Sequence, residues 1–155
     1  MTRSPTARQR LSTLPGHAAV THEDFTGQDL VSVRVPGIRF TGCSFAGADL
    51  RHATLDGCWF KFCDFGGADL RGASLRAVRW AGCALRDADL RDTDLTGARF
   101  GSVRTGTPPY GLTDLTGARF EGAILRDVRA EGVLEPQPAV FTSGASRDSS
   151  RNPTL

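Results

Sequence analysis

Residues 45–60 read FAGADLRHATLDGCWF, and this stretch shows the rule that decides the fold. A large apolar residue stands at every fifth position, and a second, smaller residue stands two positions before each one. The large series is Phe25, Leu30, Val35, Phe40, Phe45, Leu50, Leu55, Phe60, Phe65, Leu70, Leu75, Trp80, Leu85, Leu90, Leu95 and Phe100. The same phase returns at Tyr110, Leu115, Phe120 and Leu125.

A period of five matches neither a helix, which repeats apolar residues at three and four, nor a strand, which repeats them at two. The two apolar residues within each five are spaced by two, so a short strand would point both to the same side. The chain must therefore turn a corner every five residues to keep that side facing inward.

The sequence also repeats with a longer period of twenty residues. Ala48-Asp49-Leu50-Arg51 recurs at 68–71 and at 88–91, and the seven residues 94–100 recur whole at 114–120. Four corners in twenty residues close a square coil, in which like residues stack on like at ~4.8 Å. The predicted core columns are Phe40, Phe60, Trp80, Phe100 and Phe120, and Leu50, Leu70 and Leu90.

Runs such as Gly47-Ala48-Asp49-Leu50-Arg51 resemble the tandem motif of the pentapeptide-repeat family, Ala-Asp/Asn-Leu-X-X. The resemblance covers about 23–130. It implies an all-β fold, a right-handed quadrilateral parallel β-helix, and the length gives about five coils. It implies little about activity, because one fold serves many functions.

We expect three parts in the chain. Residues 1–22 are a leader or cap, either partly disordered or carrying a short helix that starts at Ser4-Pro5 and covers the first coil with Leu11 and Leu14. Residues 23–130 form the β-helix, and 101–112 is irregular, either a bulged coil or a loop with Thr105 at a core phase. Residues 131–155 are a C-terminal cap followed by a disordered tail.

The composition excludes several classes of protein. Nineteen basic and seventeen acidic residues give a net charge of +2, too balanced for a typical nucleic-acid binder or an acidic mimic. Residues 1–22 contain no apolar run of the length that a signal peptide or membrane span needs, so we expect a cytoplasmic protein. The many arginines and the single Lys61 suggest a GC-rich bacterial genome.

Four cysteines invite a metal or disulfide interpretation. They are Cys43, Cys63 and Cys83, which are twenty residues apart, and Cys58 on a neighbouring wall. All stand at the small inward position that Ala fills elsewhere, and no CxxC spacing begins a zinc site. Parallel side chains in a stack also suit disulfide geometry badly. We therefore predict structural thiols, with no metal and no cofactor.

We expect no catalysis. The three histidines are far apart, and no phosphate loop, GxSxG elbow or HExxH motif is present. The column Asp49, Asp69 and Asp89 has the residue type of an acid–base site. The neighbouring column of Arg51, Arg71 and Arg91 makes a solvated ion-pair ladder the better interpretation.

The most suggestive surface is one outward column of basic and aromatic residues. The twenty-residue register gathers Arg39, Trp59, Arg79, Arg99 and Arg119, with Lys61 and Phe62 beside them. Exposed aromatics on a charged wall are enriched at interfaces, so these seven residues are the candidate partner site. The expected partner is another protein with an acidic surface; a nucleic-acid backbone is the less favoured ligand, and a merely solvated wall is the alternative. The chain is expected to be a monomer or a homodimer.

A second function comes only from the resemblance. Some pentapeptide-repeat proteins protect or inhibit DNA gyrase by resembling a DNA duplex in shape and negative charge, and loops that leave the coil matter in them. This chain departs from those mimics because its body is neutral and no C-terminal helical dimerisation segment is recognisable. A gyrase modulator of the fluoroquinolone-resistance type is therefore the alternative function, resting mainly on 101–112.

Overall fold

The computed structural model describes residues 6–106 and 111–134, which form a short helix followed by a parallel β-solenoid of about six turns. The helix is α1 (Ala7–Ser12). The strands are β1 (Ala19–Thr21), β2 (Arg39–Thr41), β3 (Trp59–Lys61), β4 (Arg79–Ala81), β5 (Arg99–Gly101), β6 (Thr113–Asp114), β7 (Arg129–Ala130) and β8 (Val133–Leu134).

Parallel pairing between successive coils builds four faces. One sheet has the order β1-β2-β3-β4-β5-β7, and β6 pairs with β8. The other faces are held by single bridges between residues twenty apart, such as Asp49 with Asp69. The predicted quadrilateral parallel β-helix is confirmed. It has about six turns and not five, because the first coil already begins at Ala19.

Each face is defined by the residues at the centre of its outer side. The basic face carries Ala19, Arg39, Trp59, Arg79, Arg99 and Arg129. The second face carries Asp24, Ser44, Asp64, Ala84 and Asp114. The ladder face carries Asp29, Asp49, Asp69, Asp89 and Arg119, and the fourth face carries Arg34, Thr54, Ser74, Asp94 and Ile124.

The core is a set of stacked columns of like residues. Phe40, Phe60, Trp80 and Phe100 stack with ring centroids 5.2, 4.9 and 5.8 Å apart. A second column, Phe25, Phe45 and Phe65, stacks at 5.0 and 4.8 Å and meets the first edge to face. Leu columns such as Leu50, Leu70 and Leu90 are fully buried. The inward series therefore fills the interior, and stacked and T-shaped rings are the preferred aromatic geometries.

Helix α1 closes the N-terminal end of the coil. Thr6 caps it in a reciprocal capping box with Gln9, and Ala7 and Leu11 are buried in the core. The helix begins after Thr6; Ser4-Pro5, where the sequence predicted its start, lies outside the described residues. Arg8 reaches Asp29 at 2.7 Å, which ties the helix to the first coil.

The irregular segment is a loop that leaves the coil, and it shifts the register. Up to Ala81 the bridged residues pair with residues twenty positions later, whereas Ala84 pairs with Asp114 and Arg99 with Arg129, thirty positions later. The backbone N–H of Val103 donates to the Gly111 carbonyl at 2.8 Å and closes the base of the loop. Thr105 is exposed in this loop, although it falls at a core phase of the period of five.

The spacing of thirty instead of twenty residues also makes one predicted core column wrong at its last member. Arg119 pairs with Asp89, so Phe120 follows Leu90 and does not continue the column above Phe100. Ala130 follows Phe100 instead. The identical sequences 94–100 and 114–120 therefore begin on different faces.

Thr113 fastens the coil where the loop returns. It is fully buried and continues the column of Cys43, Cys63 and Cys83. Its hydroxyl donates to the Gly101 carbonyl at 2.6 Å and accepts the backbone N–H of Cys83 at 3.2 Å. A hydroxyl is therefore needed here for the Cys83 N–H, which would otherwise be buried without a partner; the Gly101 carbonyl also accepts from the Gly82 N–H at 3.3 Å.

The C-terminal end is described only to Leu134. Val133 packs against the core and Leu134 is exposed. The remainder of 131–155, which includes the predicted disordered tail, lies outside the described residues.

Replacing Leu70 by Asp should unfold the solenoid or cost more than about 4 kcal/mol, because a carboxylate would face a dry core without a partner. Arg71→Gln, one residue away on the surface, should leave the denaturation midpoint nearly unchanged, because an exposed ion pair contributes little. Urea denaturation of both variants checks the inward assignment. Equal losses of stability would contradict it.

Removing residues 102–111 together with the change Leu112→Gly should preserve the fold, since Gly101 and Thr113 already stand where Ala81 and Cys83 stand one coil earlier. A glycine at 112 suits the left-handed corner that Gly82 occupies. We expect a cooperative thermal transition and a far-UV spectrum like that of the intact chain. Removing the single residue Gly66 is the control, and it should unfold the chain because it places Arg71 at the inward position that Leu70 occupies.

Candidate functional site

The basic face is built by five strands whose first residues point outward in register. Arg39, Trp59, Arg79, Arg99 and Arg129 succeed one another, one coil apart, and all are exposed. In-register pairing therefore collects residues twenty or thirty positions apart into one continuous row.

Six of the seven predicted site residues lie on this face or its corner. Arg119 does not: it pairs with Asp89 and belongs to the ladder face. The loop displaces it, and Arg129 takes the place that the sequence assigned to it. Counting thirty residues from Arg99 across the irregular segment, instead of twenty, leads to Arg129. Both numbers are multiples of five, so the period of five in the sequence cannot distinguish the two spacings.

Two exposed aromatic side chains accompany the cations of this face, Trp59 within the row and Phe62 at its corner. Trp59 is 39% exposed, and the guanidinium of Arg79 lies 5.7 Å from the centre of its ring. Phe62 is 43% exposed, and the Lys61 ammonium lies 5.9 Å from the centre of that ring. Cation–π contacts of this kind hold both partners in place. Each aromatic therefore stands beside a positive charge.

Phe62 is held at its corner by a glycine in the next coil. Its backbone is left-handed, and a Cβ atom added at Gly82 would lie 3.0 Å from its ring. The Gly111 carbonyl, at the base of the loop, would lie 3.2 Å from the same point. The aromatic end of the basic face is thus continuous with the base of the loop.

The ladder face shows how this chain neutralises stacked charges. Arg51 donates from Nε and Nη2 to Asp49 at 2.8 Å each, and the same pair forms in the next two coils. Arg51 and Arg71 also reach the carboxylate of the following coil at 3.9 and 3.7 Å. Hydrogen bonds from its arginine hold the pKa of each aspartate, Asp49, Asp69 and Asp89, below its usual range. These carboxylates are therefore ion-pair partners and form the predicted ladder.

Both ends of the ladder are also paired. Val31 stands where the first coil would carry an arginine, and Arg8 of the helix binds Asp29 in its place. In the last rung the order of charges is reversed, with Arg119 above Asp89 and Glu121 beside it at 3.6 Å. Arg119 is therefore a ladder residue.

The basic face lacks this compensation. Within residues 6–106 and 111–134, no salt bridge involves Arg39, Arg79, Arg99 or Arg129. Arg79, Arg99 and Arg129, on three adjacent coils, therefore present positive charge to solvent without an acidic partner among the described residues.

Two shallow cavities lie at the ends of the solenoid. One, of about 480 Å³, lies between the exit of helix α1 and the first coil and includes Leu14, Val35 and Ile38. The other, of about 510 Å³, lies at the C-terminal end of the basic face. It is lined by Arg99, Phe100, Gly101, Ser102, Arg129, Ala130 and Glu131.

The four cysteines are buried and free. The Cys58 thiol donates to the Val35 carbonyl at 2.8 Å, and burial raises its pKa to about 12. In the described part of the chain, no group of three His, Cys, Asp or Glu side chains could hold a metal ion. The thiols behave as small buried apolar groups.

No helix in the described ranges is long and apolar enough to cross a membrane.

Comparisons with known proteins identify the repeat. A family model described as a pentapeptide repeat region matches residues 33–107. No curated protein matches the sequence of this chain. The pentapeptide repeat protein Rfr23 of the cyanobacterium Cyanothece 51142 is similar in structure, with a TM-score of 0.58 and 15% identity over 77% of this chain and 86% of that one. Identity this low shows the fold alone.

Two further solved structures resemble the chain more weakly. One is a trypsin-treated form of QnrB1, a plasmid-mediated fluoroquinolone resistance protein, with a TM-score of 0.40 and 25% identity over 74% of this chain and 61% of that one. The other is a pentapeptide repeat protein from the thylakoid lumen of Arabidopsis thaliana, with a TM-score of 0.37 and 19% identity over 90% and 79%.

The buried thiols should make the chain less stable at alkaline pH. A thiol whose pKa is raised by folding stabilises the folded state fully below the unfolded value of about 8.5 and loses that contribution as pH rises toward 12. For Cys58 the loss should reach about 2 kcal/mol at pH 10. Urea denaturation at pH 7, 9 and 10 measures it.

Cys58→Val is the control, since Val78 fills the same inward position one coil later. This variant should show a shallower alkaline decline, whereas equal declines would contradict the assignment. Intact mass under non-reducing conditions should show four free thiols, and a deficit of two daltons per cysteine pair would contradict that expectation.

Proposed function

We propose that this chain, which is a pentapeptide-repeat protein, is a non-catalytic scaffold whose basic face binds an acidic surface of another protein. The binding residues are Arg39, Trp59, Lys61, Phe62, Arg79, Arg99 and Arg129. The fold supplies a rigid wall, and the outward residues supply the chemistry.

The observation that carries the proposal is the uncompensated row of arginines. Arg79, Arg99 and Arg129 stand in adjacent coils, and none has an acidic partner among the described residues. Like charges at ~4.8 Å repel by about 1 kcal/mol per pair in water. Carboxylates of a partner would relieve this repulsion, as Asp49, Asp69 and Asp89 do on the ladder face, and would steer association.

The aromatics supply the apolar part of such an interface. Trp and Tyr carry much of the energy of protein interfaces, and binding energy concentrates where an aromatic anchor is surrounded by polar groups. Trp59 lies among Arg39, Arg79 and Lys61 on this face. Its ring is already held by Arg79, so little conformational entropy is lost when a partner covers it.

A protein partner is favoured over nucleic acid by the same geometry. Stacking of bases needs open ring faces, but one face of Trp59 and one of Phe62 are occupied by Arg79 and Lys61. The row of cations is short and interrupted, and the net charge of the whole chain is only +2. A long phosphate backbone would find few contacts beyond this one face.

The second candidate function is a DNA-mimicking modulator of DNA gyrase. The loop between Gly101 and Gly111 favours it, because residues outside the regular coils offer a contact separate from the four faces. The basic face opposes it, since a mimic of a DNA duplex must present negative charge.

Reversing two charges, Arg79→Glu with Arg99→Glu, should lower capture of the partner by at least about tenfold while leaving the thermal transition unchanged. The measurement is a pull-down from a lysate of the source organism, with bound proteins identified by mass spectrometry. Capture by the unmodified chain should also weaken as salt rises.

Arg34→Glu is the matched control, because Arg34 is also exposed and without a salt bridge in the described residues but lies on the fourth face. It should leave capture unchanged. Capture that survives the double reversal and disappears on removal of 102–111 would refute the basic-face proposal and support the gyrase alternative.

A further inference from the structure

The cavity at the C-terminal end of the basic face has the composition of an anion site. Arg99 and Arg129 stand on adjacent coils in direct register, and Ser102 and the Gly101 backbone complete the lining. In the described ranges neither arginine has an acidic partner. Glu131 is the one carboxylate in the lining. Two arginines without a salt bridge in the described ranges therefore line one cavity of about 510 Å³.

We propose that this pair of arginines clamps the phosphoryl group of a phosphorylated serine or threonine in an extended acidic peptide. The inference rests on the basic face being the binding surface, and it names the chemistry of the partner there. A guanidinium binds a phosphoryl group through two parallel hydrogen bonds. Two guanidinium groups on adjacent coils can each use one edge on the same phosphoryl group, which carries a charge of about −1.5 to −2.

The spacing of the coils determines which residues of a bound peptide lie opposite Arg79 and Trp59. A peptide lying along the solenoid axis, with its phosphoryl group midway between Arg99 and Arg129, passes Arg79 after ~7 Å and Trp59 after ~12 Å. Extended chain advances ~3.3 Å per residue, so these distances correspond to the second and fourth residues from the phosphorylated one.

These residues share one side of the peptide. Side chains of an extended chain alternate, so the phosphorylated residue and the second and fourth residues beyond it all face the wall. The clamp takes the phosphoryl group, Arg79 takes a carboxylate, and Trp59 takes an apolar side chain. The binding motif is a phosphorylated residue, an acidic residue two positions away and an apolar residue four positions away.

A nucleic-acid strand fits the clamp less well. It would bring a phosphate at every nucleotide, whereas the row offers Trp59 below Arg79 and one carboxylate, Glu131, in the cavity. A single phosphoryl group can turn away from Glu131, but a continuous polyanion cannot.

Fluorescence anisotropy with short labelled peptides tests the proposal on the full chain. The probes are pSer-Ala-Glu-Ala-Leu and the reverse order Leu-Ala-Glu-Ala-pSer, because the direction of the peptide is open. The controls are the unphosphorylated forms and the shifted peptides pSer-Ala-Ala-Glu-Ala-Leu and Leu-Ala-Glu-Ala-Ala-pSer, in which one added alanine turns Glu and Leu away from the wall. One in-register phosphopeptide should bind at least tenfold more tightly than both of its controls.

Substitutions locate the clamp. The double variant Arg99→Gln with Arg129→Gln should abolish the tenfold preference for phosphate. Lysine at both positions should restore it only in part, since an ammonium keeps the charge but not the paired hydrogen bonds. Arg34→Gln, on the fourth face, should leave the preference intact.

Three results would overturn the proposal. They are equal binding of phosphorylated and unphosphorylated peptides, full competition by inorganic phosphate at the concentration of the peptide, and tighter binding of a twelve-residue oligothymidylate than of either phosphopeptide. The second would show a site for free anions, and the third a site for nucleic acid.

A phosphatase-treated lysate separates this inference from the proposed function. If capture depends on Arg79 and Arg99 but survives phosphatase treatment, the basic face is the interface and the clamp is refuted. The opposite outcome is also possible to recognise. If the Arg99/Arg129 variant loses the phosphopeptide preference but the Arg79/Arg99 reversal leaves lysate capture unchanged, the clamp is supported and the proposed function is refuted.

Discussion

Hydrogen bonding between successive coils is the constraint on which the rest of this structure depends. Leu50 donates its backbone N–H to the Asp69 carbonyl at 2.7 Å, and Leu70 repeats the bond to Asp89 at 2.8 Å. Buried backbone groups must pair, so each coil has to lie on the next in fixed register. Every side chain then stands above its counterpart, and the chemistry of the protein is decided by columns. Phenylalanines stack favourably in this way, whereas like charges repel.

The same constraint governs the corners. Corner residues in the left-handed conformation project their side chains along the solenoid onto the next coil, where a Cβ atom at Gly42 would lie 2.6 Å from the ring of His22. Phe62 and Gly82 repeat the relation. The large corner residues His22, His52 and Phe62 are each followed by glycine one coil later, because a Cβ atom there would lie too close to their rings. Phe62 is exposed and fixed in position for this reason.

Stacked charges receive two different treatments on this molecule. On the ladder face, aspartate and arginine columns alternate, Arg8 completes the first rung and the reversed pair Arg119–Glu121 completes the last. On the basic face the arginines have no such column beside them in the described residues. The ladder face shows that stacked charges can be paired within this fold. The unpaired arginines of the basic face are therefore not a consequence of the fold, which supports a binding role for that face.

The sequence by itself determined the fold class, the inward residues and the ion-pair ladder, since a period of five within a period of twenty admits one regular arrangement. Only the tertiary structure decided the register beyond Gly101. A loop of ten residues is two complete repeats, so Leu115 and Phe120 keep the apolar phase while their faces change. That is why Arg119 became a ladder residue and Arg129 joined the basic face. The period of five in the sequence shows whether a side chain points inward, whereas the hydrogen bonds between coils determine the column to which it belongs.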